Sequence, residues 1–275
     1  MFELRRSNGN DGGQEATAAV WAAVLGVSVG EAWLRRDEPK PPELLAKYHD
    51  AMMWLEGGMP FAYAVGRVGF RTLDLNIDPR ALIPRPETEG LVDLVLANTE
   101  NRIPNTGLVA DIGTGCGCIA LALAVEGQFE RVVAVERSAE AAALARENVQ
   151  RVSPQTPVEI REGNLLAPLV DKGERYRAIV SNPPYLTVAE FEELDASVRQ
   201  FEPREALVSG SDGLEATRSL FAGAAALLEP GGLLAIEIDE RRADAVRSLG
   251  REYGWDVAIH ADLFGYSRYA LAKED

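Results

Sequence analysis

From about residue 107 the chain alternates between short apolar runs and longer segments with helical periodicity. The apolar runs GLVADIG, RVVAVE, VEIREGN, YRAIVSN and GGLLAIEI have the length and composition of buried strands. Strands of this kind that alternate with helices are typical of a parallel sheet covered on both faces. The tail carries two more strand segments separated only by FGYS, which predicts an antiparallel pair at the end of the sheet.

The first sixty residues have a different, helical pattern and predict three short helices. EATAAVWAAVLG ends at a glycine, SVGEAWLRR follows a cap at Ser28, and PPELLAKYHDAMMWLEGG begins on prolines. In the third segment, apolar residues recur at helical spacing and predict one buried face: Leu44, Leu45, Tyr48, Met52 and Leu55.

Between these two regions, Leu73, Leu75 and Ile77 alternate with polar residues, which is the pattern of a half-buried strand. A β-hairpin linker is therefore expected there. The predicted organisation is a helical domain at 1–66, a hairpin linker at 67–81 and an α/β domain at 82–275.

Composition narrows the classes of function. The net charge of -15 argues against a protein that grips nucleic acid directly through phosphate contacts, because such contacts need a basic surface. No run of eighteen apolar residues occurs, and the polar start MFELRRSNGNDGGQ lacks the apolar core of a secretion signal, so we expect a cytoplasmic protein without a membrane segment. Cys116 and Cys118 are expected to be two small buried thiols, and no metal site is predicted because the only histidines, His49 and His260, lie far away in sequence.

A glycine-rich loop follows the first strand of the α/β domain. In VADIGTGCGCIALALA, the segment Gly113, Thr114, Gly115, Cys116, Gly117 stands between a strand and a helix. Glycine lets the backbone turn sharply and lets a ligand approach closely, while the helix start offers free N–H groups. The next strand ends at Glu136, where a carboxylate can accept hydrogen bonds from both hydroxyls of a ribose. A purely structural acid at a strand end is the alternative for Glu136, and the glycine loop favours ribose binding.

These features fit either a dinucleotide or S-adenosylmethionine. The dinucleotide fingerprint requires a third glycine at position 118, where this chain has Cys118, so the spacing favours S-adenosylmethionine. Asn164 and Leu165, after the third strand, are positioned to meet the adenine amino group and ring. A plain Gly-Asn turn is the alternative for that pair.

The fourth strand runs into Asn182, Pro183, Pro184 and Tyr185, which should face the same crevice as the glycine loop because ligands bind at the carboxyl ends of such strands. Two prolines make the segment stiff. The Asn182 side-chain oxygen and the Pro183 carbonyl can then accept both hydrogens of one planar NH2 group, with Tyr185 as a flat wall. A simple strand end is the alternative interpretation of Asn-Pro-Pro.

Such a site suits an amide or aromatic amine whose nitrogen is a poor nucleophile. Two acceptors favour a pyramidal nitrogen whose lone pair points at the methyl group, and they stabilise the positive charge that grows in the transition state. A strong base is not needed, because the protonated amide is very acidic and loses its proton to water.

With these motifs the chain resembles the protein-(glutamine-N5) methyltransferases that modify class I peptide chain release factors. The resemblance extends over nearly the whole chain and is carried by LIPRPETE, DIGTGCGCIALALA, AIVSNPPY, FEPREAL and DGL. It implies a Rossmann-like class I S-adenosylmethionine-dependent methyltransferase sheet with a small N-terminal helical domain. The NPPY segment is shared with enzymes that methylate DNA and RNA amines, so it indicates the chemistry but not the substrate. Its combination with PRPETE before it and FEP after it is more specific for the release-factor enzymes.

The resemblance also implies roles for residues. Gly113 to Gly117 would line the methionine part of the cofactor, Glu136 the ribose, and Asn164 with Leu165 the adenine. Asn182 to Tyr185 would hold the glutamine amide of the factor's Gly-Gly-Gln motif, with Asn182 also near the cofactor. The helical domain would help to dock the factor. One departure is Asp239, which stands where the family usually has a glycine after the fifth strand.

Two other functions compete with this interpretation. An N6-adenine or N4-cytosine nucleic-acid methyltransferase would bind the same NH2 geometry, but it should carry a basic surface or a target-recognition domain. A regulatory module that binds the cofactor without turnover is the second alternative, and the intact NPPY segment weighs against it.

Overall fold

A computed structural model describes residues 10–99 and 107–274, with side chains described from residue 17 onwards. The remaining parts of the predicted domains, at 1–9, 100–106 and 275, lie outside the described residues. The chain divides between Val68 and Gly69 into two compact units. The finer boundaries at 66 and 81 and the docking role of the first domain stay predictions.

The first unit is helical and contains one helix more than the sequence pattern predicted. Its helices are α1 (Asn10–Leu25), α2 (Val29–Leu34), α3 (Pro42–Glu56) and α4 (Phe61–Val65). Helix α4 is only 5 residues long, too short to show a periodicity. The side chain of Ser28 accepts a hydrogen bond from the Glu31 N–H at 3.2 Å, as expected for a cap. Trp21 of α1 stacks on Tyr48 of α3 with ring centroids 4.3 Å apart.

The face of α3 that was predicted to be buried is only partly buried. Leu44, Tyr48, Met52 and Leu55 are only half-buried, and Leu45 is 38% exposed. The physical reason is size, because the helical unit is too small to cover a whole helix face.

A hairpin joins the two units, formed by strands β1 (Arg67–Phe70) and β2 (Leu73–Asn76). The predicted alternation is confirmed, because Leu73, Leu75 and Ile77 are buried while the polar residues between them are not. The carboxamide of Asn148 is fully buried and receives the Asn76 N–H at 2.7 Å, while its NH2 group donates to the carbonyl oxygens of Asn76 and Cys116, each at 2.9 Å. One side chain therefore joins the hairpin to the glycine loop.

The second unit is built on a seven-stranded sheet, which confirms the predicted fold class. Its strands are β3 (Leu108–Ile112), β4 (Arg131–Glu136), β5 (Val158–Glu162), β6 (Tyr176–Ser181), β7 (Leu228–Glu237), β8 (Trp255–Ala261) and β9 (Ser267–Glu274). The order is β5-β4-β3-β6-β7-β9-β8. The first five strands in this order are parallel, and β9 runs antiparallel to both of its neighbours.

Helices cover the sheet and connect its parallel strands. They are α5 (Pro86–Thr99), α6 (Cys118–Glu126), α7 (Ala139–Val152), α8 (Val188–Glu192), α9 (Ala196–Phe201), α10 (Glu215–Ala224) and α11 (Ala243–Glu252). Phe221 of α10 and Leu249 of α11 belong to one core cluster with strand residues such as Ile179 and Trp255. The indole N–H of Trp255 donates to the Phe221 carbonyl at 2.9 Å, which satisfies its one polar group inside that core.

The topology places a crevice at a defined position. The chain order reverses between β3 and β6, and in a parallel sheet ligands bind outside the carboxyl ends of the strands at such a reversal. Among the described residues, no helix is both long enough and apolar enough to cross a membrane.

Candidate functional site

A cavity of about 580 Å³ opens at the carboxyl ends of the parallel strands, a volume within the usual range for small-molecule sites. Seven of the residues predicted from sequence line it: Gly113, Gly115, Glu136, Asn164, Leu165, Asn182 and Pro184. Thr114, Cys116, Gly117, Pro183 and Tyr185 do not line this cavity. The structure thus brings together residues from four separate loops.

The glycine loop adopts a backbone that only glycine adopts readily. Gly113, Gly115 and Gly117 have φ of 75°, 56° and 88°, and this left-handed region strains residues with a side chain. The N–H groups of Gly113 and Thr114 donate to the carbonyl of Val135 at 2.9 and 3.0 Å. The loop is therefore folded back against β4 and presents glycine backbone to the cavity.

The three loop residues away from the cavity support the loop from within. Thr114 and Cys116 are buried. A side-chain carbon at Gly117 would lie 3.5 Å from Ala145 of α7, which is an ordinary contact distance, so glycine is favoured here by its φ of 88° and not by lack of space. Cys116 and Cys118 are free and buried, as expected, and no cluster of potential metal ligands occurs in the described ranges.

Asp111 organises the loop from below, and sequence reasoning missed it. It is fully buried on β3, and one carboxylate oxygen accepts from the Thr114 hydroxyl at 2.6 Å and from the Ala120 N–H at 3.1 Å. Burial raises the pKa of Asp111 to about 7, although these two hydrogen bonds lower it. An acid inside the apolar run VADIG was the available signal.

Glu136 couples the end of β4 to the glycine loop. One carboxylate oxygen accepts from the Gly115 N–H and the other from the Ser138 N–H, both at 2.9 Å. Each oxygen retains a further lone pair, so the carboxylate can still accept hydrogen bonds from a ligand in the cavity.

Asn164 and Leu165 form a second wall after β5. Leu165 has a φ of 48°, an unfavourable conformation for a residue with a side chain. The preceding Gly163 donates its N–H to the Glu136 carbonyl at 2.9 Å, which holds this turn beside β4. Leu165 is half-buried and Asn164 is exposed at the cavity.

The segment Asn182–Tyr185 leaves the sheet at the end of β6. The Ser181 hydroxyl donates to the Ile112 carbonyl at 2.7 Å, which fixes the end of β6 against β3. The side-chain NH2 of Asn182 donates to the Thr88 hydroxyl oxygen at 3.1 Å. Its carboxamide oxygen is therefore left as an acceptor at the cavity wall. The sequence singled out the PRPETE segment but gave no role to Thr88, which is buried in the first turn of α5 within it.

The FEPREAL segment holds NPPY from the other side. The N–H groups of Tyr185 and Leu186 donate to the Leu207 carbonyl at 3.2 and 2.9 Å. In return, the Ser209 N–H donates to the Leu186 carbonyl at 2.8 Å. Glu202, almost completely buried, pairs with Arg85 at 2.6 Å. This ion pair joins the PRPETE and FEP segments, which lie more than a hundred residues apart in sequence.

Glu237 at the end of β7 is a second buried acid that sequence reasoning missed. It is 2% exposed, and its Oε2 atom finds no hydrogen-bond partner among the described residues. Burial raises its pKa to about 7, while hydrogen bonding by Thr88, the positive charge of Arg268 and hydrogen bonding by Asn182 lower it. Glu237 therefore lies next to the pair formed by Thr88 and Asn182.

The turn at Asp239 does not need the glycine that the family usually has there. Asp239 has φ -72° and ψ 133°, a conformation open to any residue. Its side chain accepts from the Arg241 N–H at 2.9 Å and pairs with the Arg241 guanidinium at 2.7 Å. The aspartate thus caps the short turn that leads into α11.

Comparison with known proteins adds independent findings. Residues 91–200 match the methyltransferase small domain family. A release factor glutamine methyltransferase from Moorella thermoacetica is 40% identical over 240 residues, which cover 86% of this chain and 83% of that protein. Another, from Deinococcus radiodurans, is 38% identical over 250 residues, covering 91% of this chain and 87% of that protein. Among solved structures, a methyltransferase from Pyrococcus furiosus has a TM-score of 0.53 and 20% identity, covers 83% of this chain and 98% of its own, and is similar in fold.

The raised pKa of Glu237 predicts a pH-dependent contribution to stability. An unfolded glutamate has a pKa of about 4.3, whereas burial raises that of Glu237 to about 7. Between these values the folded protein binds more protons than the unfolded chain, so the free energy of unfolding falls as pH rises. Between about pH 4.5 and about pH 7.5, the free energy of unfolding measured in urea should fall by up to about 3 kcal/mol more for wild type than for Glu237→Gln. Glu252→Gln, at an exposed position, should follow wild type; identical pH profiles for wild type and Glu237→Gln would contradict the prediction.

Proposed function

The chain belongs to the release factor glutamine methyltransferase family, and on this premise we propose the reaction in its finer detail. The protein transfers a methyl group from S-adenosylmethionine to the side-chain amide nitrogen, N5, of the glutamine in the Gly-Gly-Gln motif of class I peptide chain release factors. The observation that carries this proposal is the orientation of Asn182, whose NH2 is held by Thr88 while its oxygen is left as an acceptor beside the cavity.

The residues around the cavity fit the cofactor. The glycine backbone of the loop at Gly113 and Gly115 would receive the methionine part, Glu136 the ribose hydroxyls, and Asn164 with Leu165 the adenine. Thr114, Cys116 and Gly117 would act indirectly by fixing the loop. When bound, S-adenosylmethionine supplies an electrophilic methyl group on a positively charged sulfur.

The NPPY segment would hold the acceptor. The Asn182 oxygen and the Pro183 carbonyl accept the two N–H bonds of the glutamine amide, and the Tyr185 ring forms a flat wall. Pro183 and Pro184 have no N–H groups and restrict the backbone, so these acceptors stay aligned. Holding both hydrogens favours a pyramidal nitrogen and stabilises the positive charge that grows on it. Alignment and fixed acceptor dipoles therefore supply the catalysis without a strong base.

A nucleic-acid amine would fit the same pair of acceptors, so the choice of substrate depends on other features. The net charge of -15 disfavours a direct grip on a phosphate backbone. The family of the chain supports the release factor as the substrate.

The reaction is tested with S-adenosylmethionine labelled in its methyl group. Wild-type enzyme should label a class I release factor on its Gly-Gly-Gln glutamine, located by mass spectrometry of the digested factor. A factor in which that glutamine is replaced by alanine should stay unlabelled, because it has no acceptor amide. Equal labelling of both factors would refute the assignment, and labelling of DNA or RNA instead would support the alternative.

The same assay examines the two-acceptor arrangement. Asn182→Ala should abolish labelling of the factor, because one acceptor is lost, while the dissociation constant for the cofactor stays within a few-fold of wild type. Full activity of Asn182→Ala would show that the amide is held in another way.

Thr88 is proposed as a positioning residue that acts through Asn182. Thr88→Val has nearly the same shape but no hydroxyl, so the NH2 of Asn182 loses one of the two groups that hold it and the carboxamide presents its oxygen to the substrate less often. We expect kcat to fall roughly 5-fold, the effect of one net hydrogen bond of about 1 kcal/mol, with an unchanged KM for the cofactor.

Thr88→Ser retains the hydroxyl and should restore most of the activity, provided that both variants unfold at a similar temperature. A Thr88→Val enzyme with the wild-type kcat would remove Thr88 from the mechanism.

We propose that the helical first unit helps to dock the release factor. It carries large apolar side chains on its surface: Trp33 and Leu34 of α2, and Met53 and Trp54 of α3, are 48% to 74% exposed. Exposed side chains of this size are frequent in protein-binding surfaces.

Trp54→Ser should therefore raise the KM for the intact factor several-fold and leave methylation of a short Gly-Gly-Gln peptide unchanged. Val170→Ser, at an exposed apolar position of the second unit, is the matched control. An unchanged KM for the factor in Trp54→Ser would exclude this side chain from docking.

A further inference from the structure

The turn between β8 and β9 lies at the same edge of the sheet as the cavity. Strand β9 is antiparallel to both β7 and β8, so β8 points in the direction of the parallel strands. The connection that follows β8 therefore emerges at their carboxyl ends. We refer to residues Asp262 to Tyr266 as the apolar turn.

The apolar turn is well ordered by its own hydrogen bonds. One oxygen of Asp262 accepts from the N–H groups of Phe264 and Tyr266, at 2.9 and 3.0 Å. The Asp262 N–H donates to the Tyr266 carbonyl at 2.9 Å, and the N–H of Gly265, whose φ is 87°, donates to the Asp262 carbonyl at 3.0 Å. Four of the backbone N–H groups in the turn thus find acceptors within it.

This well-formed turn exposes three large apolar side chains. Leu263 is 102% exposed, Phe264 68% and Tyr266 53%. Three such side chains among four consecutive residues form a cluster, whereas single exposed apolar residues are common on any surface. Because the turn holds them in fixed positions away from the core, binding a partner would require little further ordering of the chain.

Arg268 and Tyr269 connect the turn to the acceptor end of the crevice. The Arg268 guanidinium contacts Asp262 at 3.4 Å. Burial acts to lower the pKa of Arg268, while the charges of Tyr185 and Glu237 and hydrogen bonding by Asp262 raise it. Tyr269 pairs with Glu237 across the sheet and donates its hydroxyl to the Glu87 carbonyl at 2.6 Å. Thr88, the next residue after Glu87, accepts a hydrogen bond from Asn182, so Tyr269 connects the start of β9 to the NPPY segment through the first turn of α5. The apolar turn does not line the cavity proposed for the cofactor.

We propose that the apolar turn is a docking surface for the release factor, which rests on Leu263 and Phe264 while its glutamine side chain enters beside Tyr185. This inference rests on the proposed function. A free amide would need nothing beyond the crevice, whereas a protein that delivers a glutamine must place its flanking residues on the rim. The contact is apolar, so it does not depend on attraction of a basic partner to this acidic chain.

The test compares the intact release factor with a short peptide that carries Gly-Gly-Gln. The double variant Leu263→Ser/Phe264→Ser should raise the KM for the intact factor at least 10-fold, because clustered apolar anchors dominate the affinity of such interfaces. Its kcat at saturating factor, its kcat/KM for the peptide and its affinity for the cofactor should stay within about two-fold of wild type.

Val125→Ser is the matched control. Val125 is 45% exposed near the end of α6, which runs from the carboxyl end of β3 back to the opposite edge of the sheet. This variant should retain the wild-type KM for the factor. Because Leu263 makes little contact with the rest of the protein, the double variant should also retain the unfolding temperature of wild type.

The outcomes separate the two proposals. If wild type methylates the factor and the double variant has the same KM, the docking inference fails and the proposed function stands. Equal losses on factor and peptide would also overturn docking, because the turn would then affect the chemistry itself. A wild-type dimer that becomes monomeric in the double variant at unchanged KM would assign the turn to a second copy of the chain. A wild type that does not methylate the factor would overturn the function and the inference together.

Discussion

The hydrogen bond from the Asn182 amide to the Thr88 hydroxyl is the contact on which the proposed chemistry depends. An asparagine side chain can present either an acceptor or a donor, and the two choices have opposite effects on a bound NH2 group. Thr88 takes the donor side at 3.1 Å and leaves the acceptor beside the cavity. The buried Glu237 next to this pair favours the same orientation, because its carboxyl group can accept a hydrogen bond from the NH2 of Asn182. The NPPY segment has no base or nucleophile, and residues outside it determine that Asn182 presents an acceptor to the cavity.

The neighbouring loops are held in place by buried polar groups that act over long sequence distances. Glu202 links the PRPETE and FEP segments through Arg85 and through the Ile83 N–H. Asn148 joins the hairpin to the glycine loop, and Asp111 supports that loop from the sheet. Each of these groups is in the interior, where an unsatisfied polar atom is costly, so their partners are strongly specified. The walls of the cavity are therefore coupled to the core and not only to one another.

The pattern of apolar and polar residues predicted much of the fold, and the structure confirms the parallel sheet, the antiparallel end and the alternating hairpin strand. It failed where burial depends on what packs against an element. The apolar stripe of α3 is only half-buried because the helical unit is small, and the short helix α4 has no periodicity to detect. The sequence also left open whether the turn at Asp239 needs a glycine. The backbone angles of Asp239 show that this turn accepts any residue. The prediction of the family from LIPRPETE, NPPY and FEPREAL is confirmed by the relatives, while the roles of individual site residues stay predictions.

The sequence by itself determined the strand and helix order, the glycine loop, the stiff Asn-Pro-Pro segment and the family, because these depend on local composition and spacing. Only the tertiary structure decided which way Asn182 faces, that Thr88 and Glu237 lie next to it, and that the apolar turn lies at the edge used by the cavity. The physical reason is that these relations join residues up to about 150 positions apart through pairing of strands and satisfaction of buried polar groups. No local pattern encodes which two distant groups will become neighbours.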